Sequence, residues 1–400
     1  VTFTGEGGDV VNGRARVATR LVGVDAARGL ALVGMIAVHV TPSVEPDGGT
    51  AAVHLLASGR AAALFALLAG VGLALASGGT SPPRGVSLRR MWRATAIRAV
   101  VLMCVGFGVG LLDSGVAVIL VYYGALFIVA LPFLGLRART LFPLAAVWAL
   151  VAPVVTHLLR LDVPPGPGSS PTFASLADPL ALLSELFVTG YYPVIPWMAY
   201  MLAGLGVGRL ALRTRRVAGW LFAGGAGLAA LTYLLSWSLL HMGVMERLVE
   251  AGVGAHPTSR PFTDAVLDTS FYGTSPTTSW WWLTVVSPHT STPFDLLHTI
   301  GTSAAVLGLA LLVERWWRGA LAPLAAMGSM TFTLYTLHVV LLATAIPGEL
   351  DYSWLFHILV ALAVAVPWRR HIGRGPLEAL TASLARTVRE PSSAGRRSLQ

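Results

Sequence analysis

Apolar runs of about twenty residues, divided by short polar connections, repeat along nearly the whole chain from residue 22 to residue 368. They predict ten helices, over 22–42, 52–77, 91–112, 115–135, 140–160, 191–211, 217–241, 294–313, 321–346 and 351–368. At about 1.5 Å of rise per residue, runs of this length match a hydrocarbon core roughly 30 Å thick. The fold class is therefore expected to be all-α: a polytopic integral membrane protein with about ten transmembrane helices.

The connections alternate in charge, and the alternation sets the orientation. Even-numbered connections hold Arg84, Arg89 and Arg90; Arg137 and Arg139; Arg213, Arg215 and Arg216; and Arg315 and Arg318. Odd-numbered ones are acidic or mixed, with Glu45 and Asp47, Asp113, then Asp162, Asp178 and Glu185, and last Glu349 and Asp351. The positive-inside rule then puts both termini in the cytoplasm and the chain in the plasma membrane. Residues 1–21, with Arg14, Arg16 and Arg20, read as a cytoplasmic segment ahead of a retained helix, because no small-residue cleavage site follows it. Residues 22–368 form the transmembrane domain, and 369–400 a basic cytoplasmic tail with Arg369, Arg370, Arg374, Arg386, Arg389, Arg396 and Arg397. Two outer loops are long. The 161–190 loop, rich in Pro, Gly and Ser, is expected to be irregular. The 242–293 loop carries Trp280, Trp281 and Trp282, which read as interfacial anchors or, alternatively, as a sugar-stacking platform.

Composition agrees with the helices and removes other classes. The chain is 55% hydrophobic and 12% charged, with mean hydropathy +0.70, which is a membrane protein's balance. All 28 basic residues are arginine, which reads as lineage bias. The net charge of +9 is accounted for by topology, so no nucleic-acid partner is expected. Cys104 is the single cysteine and excludes an intramolecular disulfide. Phosphate-loop and zinc motifs are missing, and no metal is expected. Gly204, Gly206 and Gly208 serve close helix packing.

Chemistry concentrates in the first helix. Arg28 and His39 are eleven residues apart, so they share one helical face and lie about 16 Å apart along the axis. Ionisable groups are costly in lipid and tend to face cavities. Near the same outer level the topology places His54 and Arg60 in helix 2, Tyr122 and Tyr123 in helix 4, Asp295 and His298 in helix 8, and His338 in helix 9. Arg60 is expected about two turns inside its helix, and Pro193 and Pro196 to break helix 6 at a cavity. Plainer readings stand beside these. Arg28 pairs with Asp25 as an inner anchor, His39 bonds to a carbonyl, and His338 makes a structural interhelical bond. On the inner side Arg84, Arg89, Arg90, Arg93 and Arg98 form a ladder into helix 3. Its outer members suit lipid headgroups; Arg98 lies too deep for that and suits a phosphorylated ligand.

The Arg28–x10–His39 spacing resembles the motif of the third family of bacterial integral-membrane acyltransferases. The wider chain is similar to YeiB-like proteins and to relatives of heparan-alpha-glucosaminide N-acetyltransferase. That likeness rests on Val24–Gly34, Leu64–Gly72, Tyr192–Gly204, Gly328–Tyr335 and Gly373–Glu378. YeiB-like chains often carry asparagine where His39 stands, so a catalytic His39 follows from the third acyltransferase family. The resemblance implies transfer of an acyl group, most simply acetyl, from cytoplasmic acyl-CoA to a hydroxyl or amine of an extracytoplasmic glycan or glycolipid. Arg28, Arg89, Arg90, Arg93 and Arg98 would bind the donor. His39 would act as base or acyl carrier, and Arg60, with Tyr122 or His338 as second choice, would stabilise the oxyanion. The implied partners are membrane lipids, coenzyme A and the acceptor, with a homo-oligomer admitted. The alternative is a transporter or flippase for an amphiphilic envelope precursor.

Overall fold

The computed structural model describes residues 20–44, 49–112, 114–254, 256–268, 271–344 and 352–387. Glu45, Asp47, Asp113, Glu349, Asp351, Arg14, Arg16, Arg389, Arg396 and Arg397 lie outside the described residues. Apart from one antiparallel bridge between Val44 and Thr50, the regular structure described is helical.

In chain order the helices are α1 (Val22–Val40), α2 (Ala52–Ala57), α3 (Arg60–Ala76), α4 (Gly85–Val109), α5 (Leu120–Ala130) and α6 (Ala138–Leu159). They continue with α7 (Pro179–Ser184), α8 (Val194–Gly208), α9 (Arg215–Leu239), α10 (Met245–Ala251) and α11 (Arg260–Asp268). The last are α12 (Pro293–Val313), α13 (Ala322–Gly328), α14 (Thr331–Thr344), α15 (Ser353–His371) and α16 (Pro376–Thr387). Six stretches among the described residues are each long and apolar enough to cross a membrane, or nine if each of three bent pairs is one span. The pairs bend by 55° before α8, by 80° between α13 and α14, and by 47° between α15 and α16. The predicted 115–135 run is the shorter apolar helix Leu120–Gly135. The protein is an all-α, multi-pass membrane protein.

Local chemistry starts several helices where they start. Thr292 accepts from the Asp295 N–H at 3.0 Å with Pro293 in the first turn of α12, and Asp178 accepts from Ala181 N–H at 3.0 Å ahead of Pro179. Two other helix starts are capped from far along the chain. Glu314, at the end of α12, accepts from the N–H groups of Val22 (3.1 Å) and Gly23 (2.7 Å) at the start of α1. Glu378 of α16 accepts from Phe332 N–H (2.8 Å), Thr333 N–H (3.3 Å) and the Thr333 hydroxyl (2.6 Å) at the start of α14. Each carboxylate meets otherwise unbonded N–H groups at the positive end of a helix dipole.

The core is built around α8, which is buried along its length save Ile195 and packs on α3 and α6. The crossing with α3 needs glycine: a Cβ on Gly204 would lie 2.0 Å from the Leu67 carbonyl oxygen. At the inner end Arg209 is buried and donates to the carbonyls of Ala74 (2.8 Å), Gly79 (2.9 Å) and Leu134 (2.5 Å), and to Ser77 Oγ (2.9 Å). It satisfies the open carbonyls where α3 ends and ties that end to the turn after α5. α6 and α9 expose Val147, Leu150, Val151, Leu231, Leu234 and Leu235, the apolar surface that lipid would cover.

The loops are more ordered than their composition predicts. The 161–190 segment contains α7 and a π turn over Glu185–Thr189, because Asp178–Pro179 is a helix start that Pro/Gly/Ser counting overlooks. α9 is followed by a kink at Met242–Gly243, where Gly243 sits at φ 105°, and α10 starts directly after it. Of the three tryptophans, Trp282 is fully buried in the loop's own core, bonding Thr278 Oγ1 at 3.0 Å, while Trp280 is exposed and stacks on His157. The expected row of three interfacial anchors is therefore not formed. In the tail, α15 extends to His371 and α16 folds back onto α4 and α14.

Candidate functional site

Two groups of cavities open at opposite ends of α1. The outer cavity, of about 830 Å³, is lined by His39, His54, Tyr191, Tyr192, Tyr272 and His289 among others, with Asp268 at its rim. Residues 110–112, 114–117 and 168–170 line another side, where Ser170 Oγ accepts from Val118 N–H at 2.9 Å. The aromatic side is packed ring on ring. Tyr191 lies 4.5 Å from His289 and 4.8 Å from Tyr272, and Tyr192 lies 4.9 Å from Trp197. His289 sits at φ 59°, a left-handed conformation that non-glycine residues rarely take. Burial, then the Glu185 carboxylate and Tyr191, push the Tyr272 phenol up to about 12. It therefore meets the cavity as an O–H group at neutral pH.

His39 is the one residue of the first helix's pair that faces this space. Its Nδ1 lies 3.1 Å from His338 Nε2, and His338 Nδ1 lies 3.1 Å from His357 Nδ1. His338 and His357, on α14 and α15, are buried behind it. His357 was missed in the sequence, although an ionisable residue in the middle of the last apolar run was itself a signal.

Of the other outer candidates, His54 also lines the cavity, whereas Arg60, Tyr122 and His298 are not among its lining residues. A break at Ser58–Gly59, with Gly59 at φ 69°, makes Arg60 the first residue of α3 rather than one two turns inside a helix. Its Nε donates to His298 Nε2 at 3.3 Å and its Nη1 to the Leu55 carbonyl at 2.8 Å, which turns it away from His39. His298 then carries its proton on Nδ1, which donates to the Ala229 carbonyl at 3.0 Å. The Tyr122 hydroxyl is buried and donates to Glu185 Oε1 at 3.2 Å. His54 Nε2 bonds the Thr41 carbonyl at 2.8 Å, a structural contact at the end of α1.

Arg28 faces the inner cavities. One, of about 300 Å³, is lined by Arg28, Arg98, Phe65, Phe127, Tyr335 and Glu378. The next, of about 540 Å³, shares Arg28 and Gly72 and adds Arg20 and Asp25. Arg28 Nη1 lies 3.5 Å from Asp25 Oδ1, and its Nη2 donates to the Leu68 carbonyl at 3.3 Å. Gly72 leaves room for the guanidinium: a Cβ there would fall 2.4 Å from Arg28 Nη2. The structure thus brings Arg28 and Arg98 together. Arg89, Arg90 and Arg93 are exposed on α4 and line neither inner cavity.

Two tyrosines stand between the cavity that holds His39 and the one that holds Arg28 and Arg98. Tyr335 Oη accepts from Ile119 N–H at 3.3 Å and donates to the Ala117 carbonyl at 3.4 Å; Tyr123 donates to the Ala62 carbonyl at 3.5 Å. Tyr123, Tyr335 and Ile119 line the inner cavity, and Ala62 and Ala117 the outer one.

A multi-pass helical protein with a histidine-bearing outer cavity and an arginine-bearing inner one on a single helix defines the class, a membrane protein with a transverse polar site. The particular family is shown by comparison: residues 20–242 match the catalytic-domain model of heparan-alpha-glucosaminide N-acetyltransferase. The chain belongs to this family of membrane acetyltransferases. The match covers Arg28, His39, Arg60, Tyr122 and the α4 arginines, and it ends before His289, His338 and His357. No curated protein matches the chain.

Proposed function

We propose that the protein moves an acyl group, acetyl in the simplest case, from cytoplasmic acyl-CoA to a hydroxyl or amine of an extracytoplasmic envelope glycan or glycolipid. One observation carries this reading: α1 presents Arg28 to the inner cavities and His39 to the outer one. Both termini are taken as cytoplasmic on the arginine pattern, which makes the Arg28 end the donor side.

The inner residues suit the donor. Arg28 and Arg98 are two cations for phosphate or amide oxygens, and Phe65, Leu73, Leu102 and Phe127 give an apolar wall for an extended arm. Since Tyr123 and Tyr335 close the way to His39, the arm passes only when their carbonyl contacts open. At the outer end the acceptor's hydroxyl or amine gives its proton to His39 as its oxygen or nitrogen bonds the acyl carbon. The carbon–sulfur bond breaks, and the thiolate leaves to take up a proton. An imidazole nitrogen can take a proton or carry an acyl group, so His39 suits base or acyl-carrier roles alike. The aromatic wall of Tyr191, Tyr192 and Tyr272 offers ring faces to a sugar and hydroxyls to its oxygens.

The transporter reading keeps one observation of its own, the three bent helix pairs. Purified protein, labelled acetyl-CoA and an amino- or hydroxy-sugar glycoside separate the two. The proposal expects labelled sugar from the wild type and none above background from His39→Ala at unchanged melting temperature. Equal product from His39→Ala overturns the role of His39. Binding of the glycoside with no consumption of acetyl-CoA favours transport.

A further inference from the structure

We propose that His338 and His357 form a proton relay behind His39, acting as positioning residues for the acyl transfer; the inference rests on the reading above. His39, His338 and His357 come from α1, α14 and α15, and their ring nitrogens meet in series at 3.1 Å and 3.1 Å. The His39 and His338 rings have centroids 5.3 Å apart and planes within 10°. With nitrogens at 3.1 Å, rings so far apart and so nearly parallel meet edge to edge, the arrangement of an in-plane N–H···N bond. His357 stands across the second contact at 83° with its centroid 4.7 Å from that of His338.

A neutral imidazole has one N–H and one lone pair. His338 spends Nε2 on His39 and Nδ1 on His357, so one contact donates and the other accepts. The chain therefore has two polarities. In the first, His39 Nδ1–H donates to His338 Nε2, and His338 Nδ1–H donates to His357 Nδ1. His39 Nε2 then carries a lone pair and is ready to take a proton. In the second, both protons have moved one step along, His39 carries its proton on Nε2, and His357 holds the extra one. Passing from first to second takes one proton from the acceptor's O–H or N–H at His39 Nε2. Passing back delivers that proton from His39 Nε2 to the departing thiolate. No oxidant or further reactant is needed.

The rest of the molecule shows what a structural histidine does here. His298 and His54 each bond a backbone carbonyl, the usual way to settle a buried imidazole. His338 bonds two other imidazoles and is 3% exposed; His357 is 2% exposed. A proton held on His39 alone beside a dry wall is costly, and sharing it along three rings lowers that cost.

The test uses the full chain in lipid nanodiscs with 15N-labelled histidine. In the wild type, solid-state 15N spectra are expected to show nitrogen–nitrogen correlation across His39–His338 and His338–His357. In His357→Asn, kcat is expected to fall about 10-fold or more, a part of the 10²–10⁴ a general base supplies, while KM for acceptor and donor stays within twofold. His39 should then show mixed tautomers. His338→Asn should cost more, and His357→Gln serves if the asparagine variant does not fold. Missing correlations in the wild type overturn the relay whatever the activity. Unchanged kcat in a folded His357 variant overturns its part in transfer. A wild type with the correlations but without acetyl transfer contradicts the acyltransferase reading and leaves the hydrogen-bonded chain standing.

Discussion

The two ends of α1 solve the same problem in opposite ways. At the inner end the polar groups are charged and are held by backbone and carboxylates: Arg28 by Asp25 and the Leu68 carbonyl, Arg209 by five acceptors, the α14 start by Glu378. Around His39 at the outer end they are aromatic rings and imidazoles held by one another, as rings on rings and imidazole on imidazole. A fixed positive charge suits an anion that must be held and released. A group that gains and loses a proton is served by partners that can pass a hydrogen bond either way, as imidazoles can. Under the proposed function, the difference between the ends follows the difference between binding a donor and moving a proton.

Removing Arg209 is the largest expected disturbance, because it takes the donor from several buried acceptors at once. Each acceptor left dry costs about 1–3 kcal/mol. Arg209→Ala is expected to lose monodisperse protein in size-exclusion chromatography, or to melt many degrees lower. A variant with wild-type melting would remove the inner end's claim to be held by backbone bonding.

Next comes His39→Ala, which should lower kcat by roughly 10²–10⁴ with little change in melting temperature. Arg28→Ala should act on the other kinetic constant, raising KM for acetyl-CoA about 10- to 100-fold, the worth of one charge-assisted hydrogen bond of about 1.5–3 kcal/mol. Arg28→Lys should recover part of it, since the charge remains and the planar fork is lost. If Arg28→Ala instead lowers kcat alone, the division of labour along α1 is wrong. The smallest effect is expected from Arg89→Ala, Arg90→Ala and Arg93→Ala combined. These side chains are exposed and away from the inner cavities, so KM should move less than about threefold, as for surface charges worth under 1 kcal/mol. A larger rise would return the α4 ladder to the donor site.

Much of this was legible in the chain because periodicity is local information. Each apolar run became helical, although 52–77 and 321–346 are each broken into two helices, and the eleven-residue spacing of Arg28 and His39 carried them to two cavities. What the pattern could not supply was partners. Arg60 lies in a run that looks continuous, and only Gly59 at a left-handed φ breaks it and turns the guanidinium toward His298. His338 was visible, but its bonds to residues 299 positions before it and 19 after it were not. Nothing in the pattern marks Glu314 or Glu378 as a cap, yet each caps a helix distant in sequence. The arginine ladder divides for a related reason: a run of like charges gives a helix face, and only the packing of α16 and α14 against α4 says which rung meets a cavity.

The central claim is that α1 is a path from a donor on one face of the membrane to an acceptor on the other. Sealed vesicles holding oriented protein test it directly, with labelled acetyl-CoA supplied only on the face bearing the termini and a membrane-impermeant glycoside only on the opposite face. Labelled glycoside accumulating on the acceptor face, and disappearing in His39→Ala, is the predicted result. Product formed only when donor and acceptor share one face would contradict the path.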